Sequence, residues 1–184
     1  MSKIFVTSDT HFGHNKDFIY GPRGFKTVQE HDETIIYNWN RIVDIYDEVY
    51  HLGDVMLGDN EHGLECLKRL NGRIHIVVGN HDTDARQYFY RNCWNVAEVV
   101  RAIDLKWKGF RFHLTHYPTI TSNHDDHKPI EKKIINLCGH SHTTDSFQDW
   151  HIAPIYHVEL DAHSCYPVTI TGIINSIMNK EGLD

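Results

Sequence analysis

The sequence contains no apolar run approaching the roughly 20 residues needed to cross a bilayer, so no membrane-spanning helix is expected. A secretory signature is also missing. Met1-Ser-Lys-Ile-Phe-Val-Thr-Ser-Asp9 reads straight into a strand pattern, with no apolar h-region and no small-residue cleavage site, and a cytoplasmic location follows by default. Cysteine is sparse: Cys66, Cys93, Cys138 and Cys165 lie far apart and form no CxxC pair. The spacing therefore suggests neither a zinc knuckle nor a redox motif, and the four thiols are expected to be reduced and structural. A basic excess is absent as well. With 18 Lys and Arg against 25 Asp and Glu, the formal net charge is -7, which argues against a long nucleic acid as partner, since binding one usually needs a basic face that displaces counterions. No internal repeat or low-complexity tract appears.

What remains describes an ordinary globular chain with one anomaly. Its 184 residues suit one domain, 1-184, large enough to bury roughly 70% of the surface exposed on unfolding. A composition of 40% hydrophobic and 23% charged residues excludes a disordered chain. The anomaly is histidine, 16 of 184 residues.

Apolar stretches ending in Gly, Asp, Asn or His recur at Ile4 to Ser8, Val49 to Leu52, Ile74 to Val78, Phe110 to Thr115 and Ile134 to Cys138, and read as five short buried strands. Thr27-Val-Gln-Glu30 is a capping-box pattern, and Ile35, Ile36, Trp39, Ile42, Val43 and Tyr46 follow at helical spacing, which predicts a long amphipathic helix. A shorter helix fits Glu61 to Leu70 with Asn71-Gly72 as its stop, and a third fits Asp84 to Cys93. Tyr156 to Leu160 reads as a further strand. Val168 to Asn179 is either a closing helix or a strand and turn, because its β-branched content conflicts with its apolar spacing. Strands alternating with helices define an α/β layered fold whose second half is mostly strand. Two polar loops, Gly13 to Lys26 and Tyr117 to Pro129, can frame a site.

Each of the five strands is followed at once by potential metal ligands: Asp9 and His11, then Asp54, then Asn80 and His81, then His116, then His140 and His142. In open α/β sheets ligands bind beyond the carboxyl ends of the strands, so five segments can converge there. The i, i+2 spacing in Asp9-Thr-His11 and His140-Ser-His142 would put both side chains on one face of an extended segment. Gly53, Gly79 and Gly139 each precede a ligand, where a missing Cβ permits a sharp turn. Imidazole, carboxylate and amide donors without thiolate suit Mn, Fe, Zn or Ni. His81 aside, seven ligands exceed one tetrahedral ion, and two ions sharing Asp54 would use them all. Two dications with two carboxylates and a bridging hydroxide leave about one positive charge, which favours an incoming phosphate.

These blocks, Asp9-Thr-His11, Gly53-Asp54, Gly79-Asn80-His81-Asp82, His116 and Gly139-His140-Ser-His142, resemble in order the motifs of the calcineurin-like metallophosphoesterase family, in particular its small bacterial or phage-like members. The resemblance implies a four-layered α/β/β/α sandwich and two divalent metal ions, with Asp9, His11, Asp54 and His142 around one and Asp54, Asn80, His116 and His140 around the other. It implies a phosphodiesterase or phosphatase that uses a metal-bridging hydroxide on a small phosphate ester such as a nucleotide. His81 matches the family's non-ligand histidine beside the leaving group. One departure stands out: Gly53-Asp-Val-Met-Leu-Gly-Asp59 lacks the arginine usual in protein-phosphatase relatives. The alternatives are a non-catalytic scaffold, disfavoured because no ligand is missing, and a metal-dependent nuclease, disfavoured by net charge.

Other histidines receive plainer readings. His75 and His113 lie within strands and are assigned no role. His14, Asn15 and Arg23 follow the first block on a loop and are candidates for gripping the phosphate. His124 and His127 read as part of a solvated turn, and His157 and His163, which flank Asp161, as either structural or substrate-contacting residues.

Overall fold

The computed structural model describes residues 2-121, 128-149 and 153-183. His124 and His127 lie outside the described residues. The first sheet is built around β1 (Ile4–Thr7), β2 (Glu48–His51), β3 (Arg73–Val77) and β4 (Val96–Val100), all parallel, with β10 (Val168–Thr169) added antiparallel to β1. The second runs in the order β5 (Ile103–Trp107), β6 (Phe110–Leu114), β7 (Ile134–Cys138), β9 (Ile155–His157), β8 (Phe147–Gln148), with β6, β7 and β9 parallel.

After the single turn α1 (Asp17–Tyr20), helices α2 (Val28–Ile42), α3 (Asn60–Lys68) and α4 (Asp84–Arg91) connect or flank the parallel strands of the first sheet. Each begins on a side-chain cap: Thr27 accepts from Glu30 N, Asp59 from Glu61 N and His62 N, and Thr83 from Arg86 N. Ile35, Trp39, Leu67 and Tyr90 from this helical layer pack with Phe5, Val49, Ile74 and Ile76 in one apolar core. The opposite face of the first sheet presents Val6, Leu52 and Val77 to Phe112, Leu114, Ile135 and Leu137 of the second sheet. The C-terminal helix α5 (Ile170–Glu181) sends Ile170, Ile173 and Ile177 into that inter-sheet core. The chain is thus a mixed α/β domain of two packed sheets and helices.

The ambiguous segment from Val168 resolves as both alternatives in turn. Val168 and Thr169 pair with β1, and Thr169 then caps α5 by accepting from Gly172 N. The strand expected at Tyr156 to Leu160 stops at His157, and Leu160–His163 coils into a 3₁₀ turn whose Leu160 is buried. Three strands, β4, β5 and the two-residue β8, have no counterpart in the sequence pattern. β4 and β5 are only half-buried, so their apolar alternation is diluted. The topology brings the carboxyl ends of β1, β2, β3, β6 and β7 to one edge of the sandwich. A bridge between Ser8 and Glu159 closes the two sheets there.

Candidate metal centre

The turns leaving these strands are tight and unusual. Asp9, His11, Asp54, His140 and His142 all adopt left-handed backbone, with φ of 59°, 48°, 56°, 74° and 49°. This corrects the extended-segment picture of the two i, i+2 pairs: each pair converges through two left-handed residues rather than along a strand face. Asp and His tolerate this region better than most side chains, and residues held there cluster at functional sites.

The three glycines serve two different ends. Gly53 has φ +95° and needs glycine for its turn, while Gly79 and Gly139 do not take positive φ. At those two the requirement is close approach. A Cβ on Gly79 would strike the Asp54 carboxylate and lie 2.6 Å from Asp54 N, and one on Gly139 would strike Ser8 Oγ and Asp9 Oδ2. The ligand-bearing turns are stacked directly on one another.

Donor atoms about 2.1 Å from one small dication sit roughly 3.0 to 3.5 Å apart. His11 Nε2 lies 3.1 Å from His142 Nε2, 3.6 Å from Asp9 Oδ1 and 3.8 Å from Asp54 Oδ2. His142 Nε2 is 3.7 Å from Asp9 Oδ1. On the other side, His116 Nε2 is 3.6 Å from Asp54 Oδ2 and 2.8 Å from Asn80 Oδ1. His140 closes over the centre: its backbone N donates to Asp9 Oδ2 at 3.0 Å, and its ring packs against His116 and Tyr117. All seven candidates are therefore drawn into one cluster around Asp9 and Asp54. Asp9 Oδ1 is buried without a hydrogen-bond partner, a condition that costs free energy unless a cation is supplied. The donor set and this orphaned oxygen fit divalent metal.

Charge within the cluster is already arranged for ligation. Burial by itself would raise the Asp9 carboxyl, but the close approach and charge of His11, with His116 and His142, hold it well below the ordinary carboxylate range. Burial pushes His11 down to about 4, against the pull of Asp9, so its ring is neutral near pH 7. Asp54 is raised to about 6 by burial, although His116 and the His81 backbone N–H oppose the shift.

The histidines are aimed from behind, as metal-binding imidazoles commonly are. His116 Nδ1 donates to Leu52 O at 2.7 Å, which leaves Nε2 facing Asp54 and Asn80. His142 Nδ1 is 3.0 Å from Asp161 Oδ2, and Asp161 is in turn held by Arg23 through Nε and Nη2 at 3.0 and 2.7 Å. Asp161 was read only as the neighbour of two histidines; a carboxylate 19 residues from its partner leaves no local signal. Asp82, quoted with the third block but given no role, is the staple of the centre. It accepts from Asp54 N, Val55 N, Gly79 N and the Tyr90 hydroxyl.

The remaining candidates separate sharply. His81 is 43% exposed, lies 3.9 Å from Asp54 Oδ2 and donates its backbone N–H to Asp54 Oδ1, so it faces the cavity from beside the cluster. His14 lines the same cavity of about 580 Å³, together with Phe18, Ile19, Pro22 and Leu57. Asn15 is exposed and does not line it. Arg23 is turned inward, which differs from the expectation of a phosphate grip. Its side chain is 1% exposed and spends its donors on Asp161, Asp9 O and His31. His75 pairs with Glu48 and Glu98, His113 with Asp104, His157 with Glu159 and Gln148, and His163 with His157 O, all internal partners.

Comparison with known proteins agrees with this geometry. The sequence profile of the calcineurin-like phosphoesterase superfamily domain matches residues 2–156. The chain belongs to the calcineurin-like phosphoesterase superfamily. It is 38% identical over 120 residues to an uncharacterized protein of Methanocaldococcus jannaschii, a match covering 64% of this chain and 60% of that protein. It is 28% identical to the Gene 66 protein of Mycobacterium phage D29 over the whole length of both. Among solved structures, a protein of unknown function from Aquifex aeolicus shares the fold with a TM-score of 0.68 at 23% identity, covering 96% of this chain and all of that one.

Proposed function

We propose that the protein is a dinuclear-metal phosphoesterase acting on small phosphodiesters. The observation that supports this best is the convergence of donors from Asp9, His11, Asp54, His116 and His142 around the unpartnered, buried Asp9 Oδ1, with Asn80 and His140 on their border. In this reading Asp9, His11, Asp54 and His142 hold one divalent ion and Asp54, Asn80, His116 and His140 the other. The ions, when bound, polarise the phosphoryl oxygens and acidify water.

The chain itself supplies position and proton traffic. Asp54 faces both halves of the cluster, and the Asp82 staple on its backbone N–H keeps it from swinging away. His81 stands beside the cluster with its Nε2 3.9 Å from Asp54 Oδ2, placed to give a proton to the departing oxygen. Among the described residues that line the cavity there is no Lys or Arg, whereas Phe18, Ile19, Pro22 and Leu57 form an apolar wall. With no permanent side-chain cation, a singly charged diester is a better match than a doubly charged monoester, and the wall suits a flat or apolar substituent.

The test is a hydrolysis panel of aryl diester, aryl monoester, cyclic nucleotides and single-stranded DNA, run with Mn²⁺ and after chelation. The expected result is chelator-sensitive turnover in which the aryl diester is cleaved at least as well as the monoester. A large monoester preference removes the diester assignment, and full activity in metal-free protein removes the metal one.

A further inference from the structure

On the helical side of the first sheet, Asp32 of α2 faces His62 and Cys66 of α3. His62 and Cys66 are i and i+4, the spacing that puts two side chains on one helical face. His62 Nε2 lies 2.8 Å from Asp32 Oδ2 and 3.4 Å from Cys66 Sγ, and one donor atom from each residue falls within 4.8 Å of the others. Asp32 is fully buried, while the His62 side chain is 40% exposed and opens the group to solvent. Among the described residues no other cysteine enters a three-donor group of this kind. Cys93 donates to Asn95, and Cys138 is buried at the end of β7 with its Sγ 3.8 Å from His157 Nδ1.

We infer that Asp32, His62 and Cys66 form a separate site for a thiophilic divalent cation of the Zn²⁺ type, with the fourth position open to water. The 3.4 Å between His62 Nε2 and Cys66 Sγ matches donor spacing around a zinc ion, where Zn–N is about 2.0 Å and Zn–S about 2.3 Å, and the 2.8 Å His62–Asp32 hydrogen bond has to open by only a few tenths of an ångström to admit the ion. Charge favours the same ion. A carboxylate and a thiolate together neutralise a dication, so the occupied site carries no net buried charge. Without a cation, burial pushes the Cys66 thiol up to about 12 and the nearby Asp32 charge adds to the effect. On binding, the thiol proton passes to solvent and the His62 ring takes the tautomer protonated on Nδ1, which frees Nε2 for the ion.

The site also reaches the catalytic edge. Asp32 Oδ2 accepts from Gly13 N at 2.9 Å, two residues past His11, and Asp32 Oδ1 takes His31 Nδ1, whose ring meets Arg23. An ion on Asp32 thus sits at the back of the loop that carries His11 and His14, yet shares no donor with the other cluster.

Cobalt tests this directly, because the seven-donor cluster contains no sulfur. Titration of the metal-free 184-residue chain with Co²⁺ is expected to give a near-ultraviolet sulfur-to-cobalt charge-transfer band that Zn²⁺ erases. Cys66→Ser should abolish the band and lower bound cobalt by one equivalent, and His62→Ala, at a partly exposed position, should abolish or strongly weaken it in a folded protein. Asp54→Asn should leave the band intact, which separates this site from the phosphoesterase reading. A band that never appears at saturating cobalt, or that survives in both Cys66→Ser and His62→Ala, overturns the inference.

Discussion

The two sides of the candidate metal centre are built differently. Its floor, Asp9, His11, Asp54 and His116, is at most 2% exposed and is anchored by backbone carbonyls, the Asp82 staple and stacked turns. Its rim, Asn80, His81, His140 and His142, is half-buried or exposed. The floor carries the cost of desolvating two carboxylates in the folded chain, before any substrate arrives, whereas the rim stays open where a phosphate must enter. Within the rim only His142 has a carboxylate behind it, so the Asp161–Arg23 pair gives one rim histidine the rigidity of the floor.

This contrast can be broken at its strongest point first. Asp54→Asn is expected to give the largest loss of kcat, above the 10²- to 10⁴-fold typical of a single positioned proton donor, and to reduce bound metal, because one carboxylate faces both halves. Metal analysis beside kinetics checks it; two tightly held ions in the variant would mean Asp54 does not bridge. Next comes the rim. His81→Ala should keep both metals and lower kcat by about 10²- to 10⁴-fold for an alkoxide leaving group, with a smaller loss for p-nitrophenolate. Equal defects for good and poor leaving groups would remove the proton-donor role.

Smaller effects sharpen the distinction between aim and ligation. Asp161→Asn should weaken metal binding by about 10- to 100-fold, as loss of an outer partner of a metal-bound histidine generally does, and the loss should be confined to one ion. Equilibrium dialysis resolves the two affinities. Thr27→Ala, far from either side, should cost about 1 kcal/mol of stability through its lost helix cap and leave kcat per folded molecule unchanged. Asn15→Ala should change neither stability nor kcat/KM, since the side chain is exposed and outside the cavity.

Much of this was legible in the residues because strand ends announce themselves. Ile4 to Ser8, Val49 to Leu52 and Ile74 to Val78 are largely apolar, mostly buried stretches, and each stops at Asp or Gly where the site begins. The Thr27 cap and the apolar stripe after it located α2. What stayed hidden was long-range. Asp161 acts on His142, Asp82 on Asp54 and Arg23 on Asp161, pairs joined by the fold rather than by spacing. Arg23 was misread for a general reason: a loop arginine beside an anion site looks the same in sequence whether it points at the ligand or at the scaffold. β4 and β5 escaped because half-exposed edge strands blend apolar and charged residues.

The left-handed turns at Asp9, His11, Asp54, His140 and His142 restrict what evolution or an engineer can write there. In the proposed metal site each position must meet two demands at once, a coordinating atom and a backbone that most L residues resist at roughly 1 to 2 kcal/mol. Asp, Asn and His answer both, because their short polar side chains coordinate and also tolerate that conformation. Glutamate offers the same carboxylate, but its longer stem lacks the local hydrogen bonding that eases aspartate into the turn. The vocabulary of the site is therefore narrower than metal chemistry alone requires, and a ligand swap that looks conservative to a chemist is a change of grammar to the chain.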